Sequence, residues 1–254
     1  MVLDMKRELL HTLQGLEEEY ASKYLPHISI DCVVLGYHDR NLKVLLLKMK
    51  DLDQWSLPGG FVEHDMEIQA AAEKTLLDRT GASNIFLRQF KTYGSPCRTS
   101  DIYADMPEEL WFKQRFISIG YYALVDYEDV EPQLDDVSQY CEWKDIRKLP
   151  QLMMDHRSMV EDALILLRKD LNYRPIGLNL LPEKFTMPEL QSLYEIILGK
   201  KLNRGNFYRK ILNYNILVKL DETRKGGAHK SPDLYTFDEV NYKEALEEGF
   251  KASW

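Results

Sequence analysis

The four residues Arg174-Pro175-Ile176-Gly177 divide the chain between two patterns that one core cannot hold. Proline fixes φ and has no N–H to give a helix or a sheet ladder, while the glycine behind it lets the backbone turn. Strand-like runs mixed with helical spacing come before this break, and a helix, a tight turn, a second helix and a hairpin come after it. A chain of 254 residues is long enough for two such units. The pattern predicts an N-terminal helix over 1–26, a first domain over 27–173, a second over 174–240 and an acidic tail over 241–254.

The first part opens with Leu9, Leu13, Leu16, Tyr20 and Tyr24 at spacings of three and four, one apolar stripe of a helix over 3–24 that Pro26 should stop. Apolar runs at 28–35, 42–49 and 116–125 read as strands, with Asp39-Arg40-Asn41 a turn between the first two. Residues 67–80 read as a helix ended by Gly81, and Asp155 as the N-cap of another running to about Asn172. Strands mixed with few helices indicate an α+β or α/β domain.

Beyond the break, Thr186-Met187-Pro188-Glu189 is a capping box, with Leu190, Leu193, Tyr194, Ile197 and Leu198 as a buried face and Gly199 as the end. Asn203 can cap a second helix whose Phe207, Ile211 and Tyr214 fall at i, i+4 and i+7. Short strands follow at 216–218 and 234–237. This order makes a winged helix-turn-helix. If the second helix buries those three residues, it presents Arg204, Asn206, Tyr208, Arg209, Lys210 and Asn213 outward. Arg and Asn reach base edges bidentately, and the others bond phosphates. Lys225, His229 and Lys230 fall on the wing.

Charge agrees with this placement. The whole chain carries −8, yet residues 199–230 hold nine basic residues against two acids. A basic segment on an acidic protein suits a local anionic partner such as double-stranded DNA, and equally a solvated lysine-rich loop. Hydrophobic residues at 44% exclude wholesale disorder, and three scattered cysteines (Cys32, Cys97, Cys141) exclude a disulfide scaffold. Purely apolar runs such as Val44-Leu45-Leu46-Leu47 are far too short to span a membrane, and the first 25 residues lack a signal-peptide core. The expected location is the cytoplasm.

Trp55-Ser56-Leu57-Pro58-Gly59-Gly60-Phe61-Val62-Glu63 leads into the helix at 67–80. It resembles the entry to a Nudix box, G-x5-E-x7-R-E-U-x-E-E-x-G-U, and the spacing holds from Gly60 to Gly81. The chemistry does not hold. Met66 stands at the first Glu, Lys74 and Thr75 at the Arg-Glu pair, and Asp78 and Arg79 at the Glu-Glu pair. Mg²⁺ wants several hard oxygen ligands, whereas Thr75 is neutral and Arg79 is a cation, able to pair with Asp78 one residue away. The fold is expected to be kept and the hydrolase site lost, with no catalytic residue, metal ligand or cofactor. The alternative is a Nudix hydrolase of ADP-ribose or another nucleoside diphosphate derivative.

The two parts together resemble the Nudix-related transcriptional regulators, which include NAD-metabolism regulators and an arabinose regulator. The resemblance runs over about 28–237 and is most specific at 175–182 and 204–210. It implies an α+β protein, a Nudix-like α/β/α sandwich followed by a winged helix-turn-helix. It also implies a homodimer on a palindromic operator whose affinity shifts with a small-molecule effector, a sugar or ADP-ribose. Candidate effector contacts are Glu63, Trp111, Lys113, Arg115 and Glu142. The segment 94–114 and the N-terminal helix are longer than the resemblance implies. A third reading makes the winged helix a protein-interaction module.

Overall fold

The computed structural model describes residues 2–82, 85–99, 102, 104–224 and 231–250, without the side chains of residues 2–9 and Leu25. Lys225, His229 and Lys230 therefore lie outside the described residues. The chain divides into two units, 1–36 with 43–163 and 37–42 with 164–254.

The first unit opens with α1 (Val2–Lys23) and β1 (Tyr24–His38), followed by β2 (Asn41–Met49), β3 (Trp55–Ser56), β4 (Gly59–Glu63) and α2 (Ile68–Thr80). Then come β5 (Phe86–Tyr93), β6 (Ile117–Val125), β7 (Ser138–Asp145) and α3 (His156–Asp170), within which the unit boundary falls. Seven strands form one mixed sheet in the order β3-β2-β1-β6-β5, with β4 on β1 and β7 on β2. β1 and β6 run parallel, Ile28 opposite Ile117 through to Gly36 opposite Val125. β4, by contrast, pairs antiparallel with β1.

Alternation along β1 covers both faces. Ile30, Cys32 and Val34 pack with Ala71, Ala72 and Leu76 of α2, while Val33 and Leu35 are also fully buried. Asp39 and Arg40 both take positive φ, as a type I′ hairpin turn demands. Gly81 is left-handed, and its N–H bonds the Leu77 carbonyl to close α2.

The N-terminal helix expected over 3–24 is present as Val2–Lys23, and it ends where Tyr24 pairs with Glu63 of β4. The pairing slips between Tyr24 and Ser29, so Pro26 falls where the ladder is interrupted. The stretch read as an acidic tail over 241–254 is corrected in its described part, where Glu239–Glu248 form a helix.

The second unit holds β8 (Phe185–Thr186), α4 (Met187–Leu198), α5 (Arg204–Asn213), β9 (Leu217–Thr223), β10 (Asp233–Phe237) and α6 (Glu239–Glu248). Its sheet runs β8-β10-β9, all antiparallel. Asp238 caps α6 through the Val240 and Asn241 N–H groups. α6 is held by Tyr242, which is buried, donates to the Pro175 carbonyl and accepts from the Leu178 N–H. The Thr186 capping box forms with both reciprocal bonds to Glu189.

Candidate functional site

A cavity of about 530 Å³ opens in the first unit between the sheet, α1 and α2. Its apolar side is an aromatic cluster. Leu13 and the half-buried Leu16 and Tyr20 of α1, with Tyr24 at the start of β1, pack with Phe61, Trp111, Phe112 and Phe116. Leu10 joins this stripe, and the Leu9 side chain is outside the described set. The loop before β6 is tied to α1 by the Trp111 N–H, which donates to Glu17.

The polar floor is built on Asp31, a carboxylate in the middle of the apolar run of β1. Arg98 reaches it from the loop after β5 with an Nη2–Oδ2 distance of 3.0 Å. The same guanidinium grips both oxygens of Asp155. Ser118 donates to Asp31 from β6, and His156 Nε2 lies 3.5 Å from Asp31 Oδ1. Because His156 Nδ1 accepts the Leu57 N–H at 3.0 Å, the ring's proton sits on Nε2, facing Asp31. Burial alone would raise Asp31. The electrostatic pull of His156 and Arg98 and the bonds from Ser118 and Arg98 outweigh burial and hold the carboxyl below its usual range. Burial pushes the His156 imidazole down, against the pull of Asp31. Asp155 precedes α3 as expected, but Arg98 takes its carboxylate.

At the rim, Glu63 is bridged by Lys74 of α2 and lies 3.7 Å from Lys23 of α1. Lys74 beside it holds the Glu63 carboxyl below the usual range. Among the cavity-lining residues, the carboxylates Asp31, Glu63, Asp78, Asp135 and Asp136 face the cations Lys23, Lys74, Arg79 and Arg98.

The positions where a hydrolase of this family holds Mg²⁺ do not fit the ion. Thr75 is buried, and its hydroxyl donates to the Ala71 carbonyl. A Cβ on Gly60 would stand 2.5 Å from Thr75 Oγ1, so strand β4 lies directly on this side chain. Arg79 pairs with Asp135 of the loop between β6 and β7 at 3.2 Å, rather than with Asp78 as its neighbour suggested. That loop is tied to the end of α2, where Gln133 and Glu131 donate to the Arg79 and Thr80 carbonyls. A guanidinium at this point disfavours a second cation.

Of the five expected effector contacts, only Glu63 lines the cavity. Trp111 is a buried member of the aromatic cluster, edge-on to Phe61, Phe112 and Phe116. Lys113 holds its own loop through the Ala104 and Met106 carbonyls and Glu108. Arg115 donates to the Gly94 carbonyl, and Glu142 on β7 pairs with Lys144. Sequence reasoning missed Asp31, Arg98 and Tyr20. A charge inside an apolar strand, as at Asp31, is the signal that a buried partner must exist.

In the second unit, Asn203 caps α5 through the Asn206 N–H. Phe207 and Ile211 are buried, Tyr214 is half-buried at the C-cap, and Phe207 meets Tyr194 of α4 edge-on. The turn between the helices is held by Glu195, which accepts the Leu202 N–H and pairs with Lys201. Arg204, Asn206, Tyr208, Arg209, Lys210 and Asn213 are all exposed. Arg209 donates to Asn206 at 2.9 Å, which orders both as one outward group. Tyr208 shares a short hydroxyl contact with Tyr235 of β10, fixing α5 against the wing. Arg224 at the wing's base bonds Glu189, which also serves the capping box.

These two units define the class. Residues 25–163 match the NUDIX domain family and residues 177–237 match the NrtR DNA-binding winged helix domain. The chain belongs to the NUDIX family, with an NrtR-type winged helix behind its NUDIX domain. A curated relative from Acinetobacter baylyi, an ADPR responsive transcriptional repressor, is 27% identical over 224 residues, 85% of this chain and 84% of its own length. The crystal structure of Shewanella oneidensis NrtR complexed with a 27mer DNA is 25% identical, with a TM-score of 0.72 over 88% of this chain and 97% of that one. A MutT/nudix family protein from Enterococcus faecalis shares the fold at 18% identity, with a TM-score of 0.62 over 89% of this chain and 93% of that one. No helix among the described residues is long and apolar enough to cross a membrane.

Proposed function

We propose that this protein is a metabolite-responsive transcriptional repressor. Its winged helix binds operator DNA, and its NUDIX domain binds a small effector, a sugar or an ADP-ribose-like compound, without hydrolysing it. The protein acts in the cytoplasm as a homodimer on a palindromic operator, placing two copies of α5 in successive major grooves. The observation that carries this reading is the outward group of Arg209 and Asn206 on α5, on a chain whose metal-binding box holds Arg79 and Thr75 instead of glutamates. The relative named as an ADPR-responsive repressor and the NrtR–DNA complex support it.

Effector in the cavity shifts DNA affinity. Allosteric coupling of this kind is worth about 1–3 kcal/mol, or roughly 5–150-fold. The test is a gel shift on DNA upstream of the protein's own gene and its neighbours, at two salt concentrations, with sugars and ADP-ribose as additives. A competitor-resistant shift that weakens with salt is expected. Arg209→Ala should weaken it by about 1–3 kcal/mol, the worth of one bidentate base contact. Mg²⁺-dependent release of a monophosphate from ADP-ribose, with no specific shift, would return the protein to the hydrolases.

A further inference from the structure

The tip of the hairpin between β1 and β2 belongs with the second unit, since residues 37–42 group with 164–254. It is anchored to α4, where the Tyr37 hydroxyl donates to Ser192 Oγ at 3.3 Å. Beyond that anchor Arg40 stands exposed. With Ser192, Glu195, Lys200 and Lys201 it lines a hollow of about 420 Å³ at the C-terminal end of α4 and the turn into α5.

Three cations and one carboxylate line this hollow. The carboxylate is already engaged: Glu195 pairs with Lys201 at 2.8 Å and accepts the Leu202 N–H and the Gln191 amide. The bond from Lys201 first, then those from Leu202 and Gln191, lower its pKa to about 2, so at neutral pH it is charged and cancels Lys201. Asp39, next to Arg40 in sequence, lies 3.1 Å from His38 Nε2. Arg40 and Lys200 have no carboxylate partner among the described residues. Ser192 accepts from Tyr37, which leaves its own hydrogen for another acceptor. Two unmatched cations and a hydroxyl donor suit the phosphate oxygens of a nucleic-acid backbone, which Arg, Lys and Ser all contact. Position favours the same partner. In a helix-turn-helix the second helix enters the major groove by its N-terminal residues, and the first crosses the backbone. Lys200 lies in the turn just before the Asn203 cap of α5, so the hollow stands beside the strand that borders that groove.

We propose that Arg40, Lys200 and Ser192 bind the phosphate backbone of operator DNA, so that the β1–β2 hairpin contributes to DNA binding from outside the winged helix. This rests on the repressor reading above and extends its contact surface beyond α5. The contact sets the protein's position on the duplex and reads no base. Arg40 and Lys200 each supply one charge to the backbone, and each charge releases counterions from it.

The test is fluorescence-anisotropy titration of the full chain on a labelled duplex from the DNA upstream of its gene, and on a shuffled duplex of the same composition, over a range of KCl concentrations. Arg40→Asn removes one charge and keeps a residue type that tolerates the φ of 56° at this turn. Lys200→Gln removes the other. Each variant lowers the slope of log K against log salt by about 0.9 on both duplexes and leaves the ratio of the two affinities unchanged. Because this contribution varies as about the 0.9 power of salt and vanishes at about 1 M, binding at about 0.1 M weakens by about 8-fold. Arg40→Lys restores the slope. Arg209→Ala, by contrast, narrows the preference for the upstream duplex. An unchanged slope in either charge-removing variant overturns the proposal, and so does weaker binding at an unchanged slope, the mark of a purely structural role. Specific binding by the wild type then leaves the repressor reading standing. A wild type that prefers neither duplex counts against the repressor while the slopes still decide this contact, and one that binds neither refutes both.

Discussion

Replacing Arg98 by methionine is the sharpest test of how the cavity floor is held. The arginine side chain is 3% exposed and lies between Asp31, 11% exposed, and Asp155, 25% exposed. Methionine keeps most of the volume and removes every donor. Asp155 can recover water. Among the described side chains Asp31 then retains Ser118 and the more distant His156. Removing one partner of a buried pair costs about 3–5 kcal/mol. The carboxyl also has an escape, since it can take up a proton. From an ordinary pKa near 3.9, that costs about 1.36 kcal/mol per pH unit, or about 4 kcal/mol at pH 7 and about 1.5 at pH 5. The loss is therefore capped near 4 kcal/mol at pH 7 and should shrink to roughly 1–2 kcal/mol at pH 5.

The sign follows from the direction of each shift. Asp31 is held below its usual value in the native protein, so its contribution is complete above about pH 4 and fades only in stronger acid. In the variant this carboxyl titrates higher, so acidification relieves it. Thermal unfolding followed by tryptophan fluorescence reads the first unit through Trp55, Trp111 and Trp143. The expected drop at pH 7 is roughly 6–16 °C, from about 2–4 °C per kcal/mol at this size. A loss under about 1 kcal/mol, or a gap that does not narrow at pH 5, would refute the reasoning.

Three other outcomes are expected. Gly60→Ala drives a methyl into Thr75 Oγ1 beneath β4 and should cost about 1–3 kcal/mol in urea unfolding. Tyr242→Phe removes the bonds to Pro175 and Leu178 that hold α6, destabilising the second unit by about 1 kcal/mol and raising amide exchange along α6. Wild-type stability should begin to fall as pH drops through about 6.5, because His156 is kept neutral by burial and must gain a proton on unfolding. His156→Gln should flatten that part of the stability profile.

Local signals were legible where one residue type suffices. The Thr186–Glu189 box, the Gly81 and Gly199 termini and the two buried residues of α5 follow from capping chemistry and helical period. β5 and β7 were missed because their exposed faces break the apolar run, as Arg88, Lys91, Gln139 and Glu142 do. The site was mostly illegible. Trp111 and Lys113 look like ligand groups by type, but one is core and the other ties its own loop. Arg98 meets Asp31 across 67 residues of sequence, a distance that no periodicity reports. α6 depends on one tyrosine reaching back to Pro175, and its charge density reads as a tail until that contact is known.

The parallel pairing of β1 with β6 bears on how the chain leaves the ribosome. Gly36 ends the paired stretch of β1, and its partners are Ile117 to Val125, so about eighty residues are made in between. At roughly 5–20 residues per second, that is about 4–16 s of synthesis. Throughout that interval the central strand β1, with its buried run Ile30 to Leu35, has one edge with no partner from its own chain. An open apolar edge is a template for pairing with a neighbour. Nascent chains of this protein should therefore draw a holding chaperone during that window, and slowed translation between β1 and β6 should lower the soluble yield.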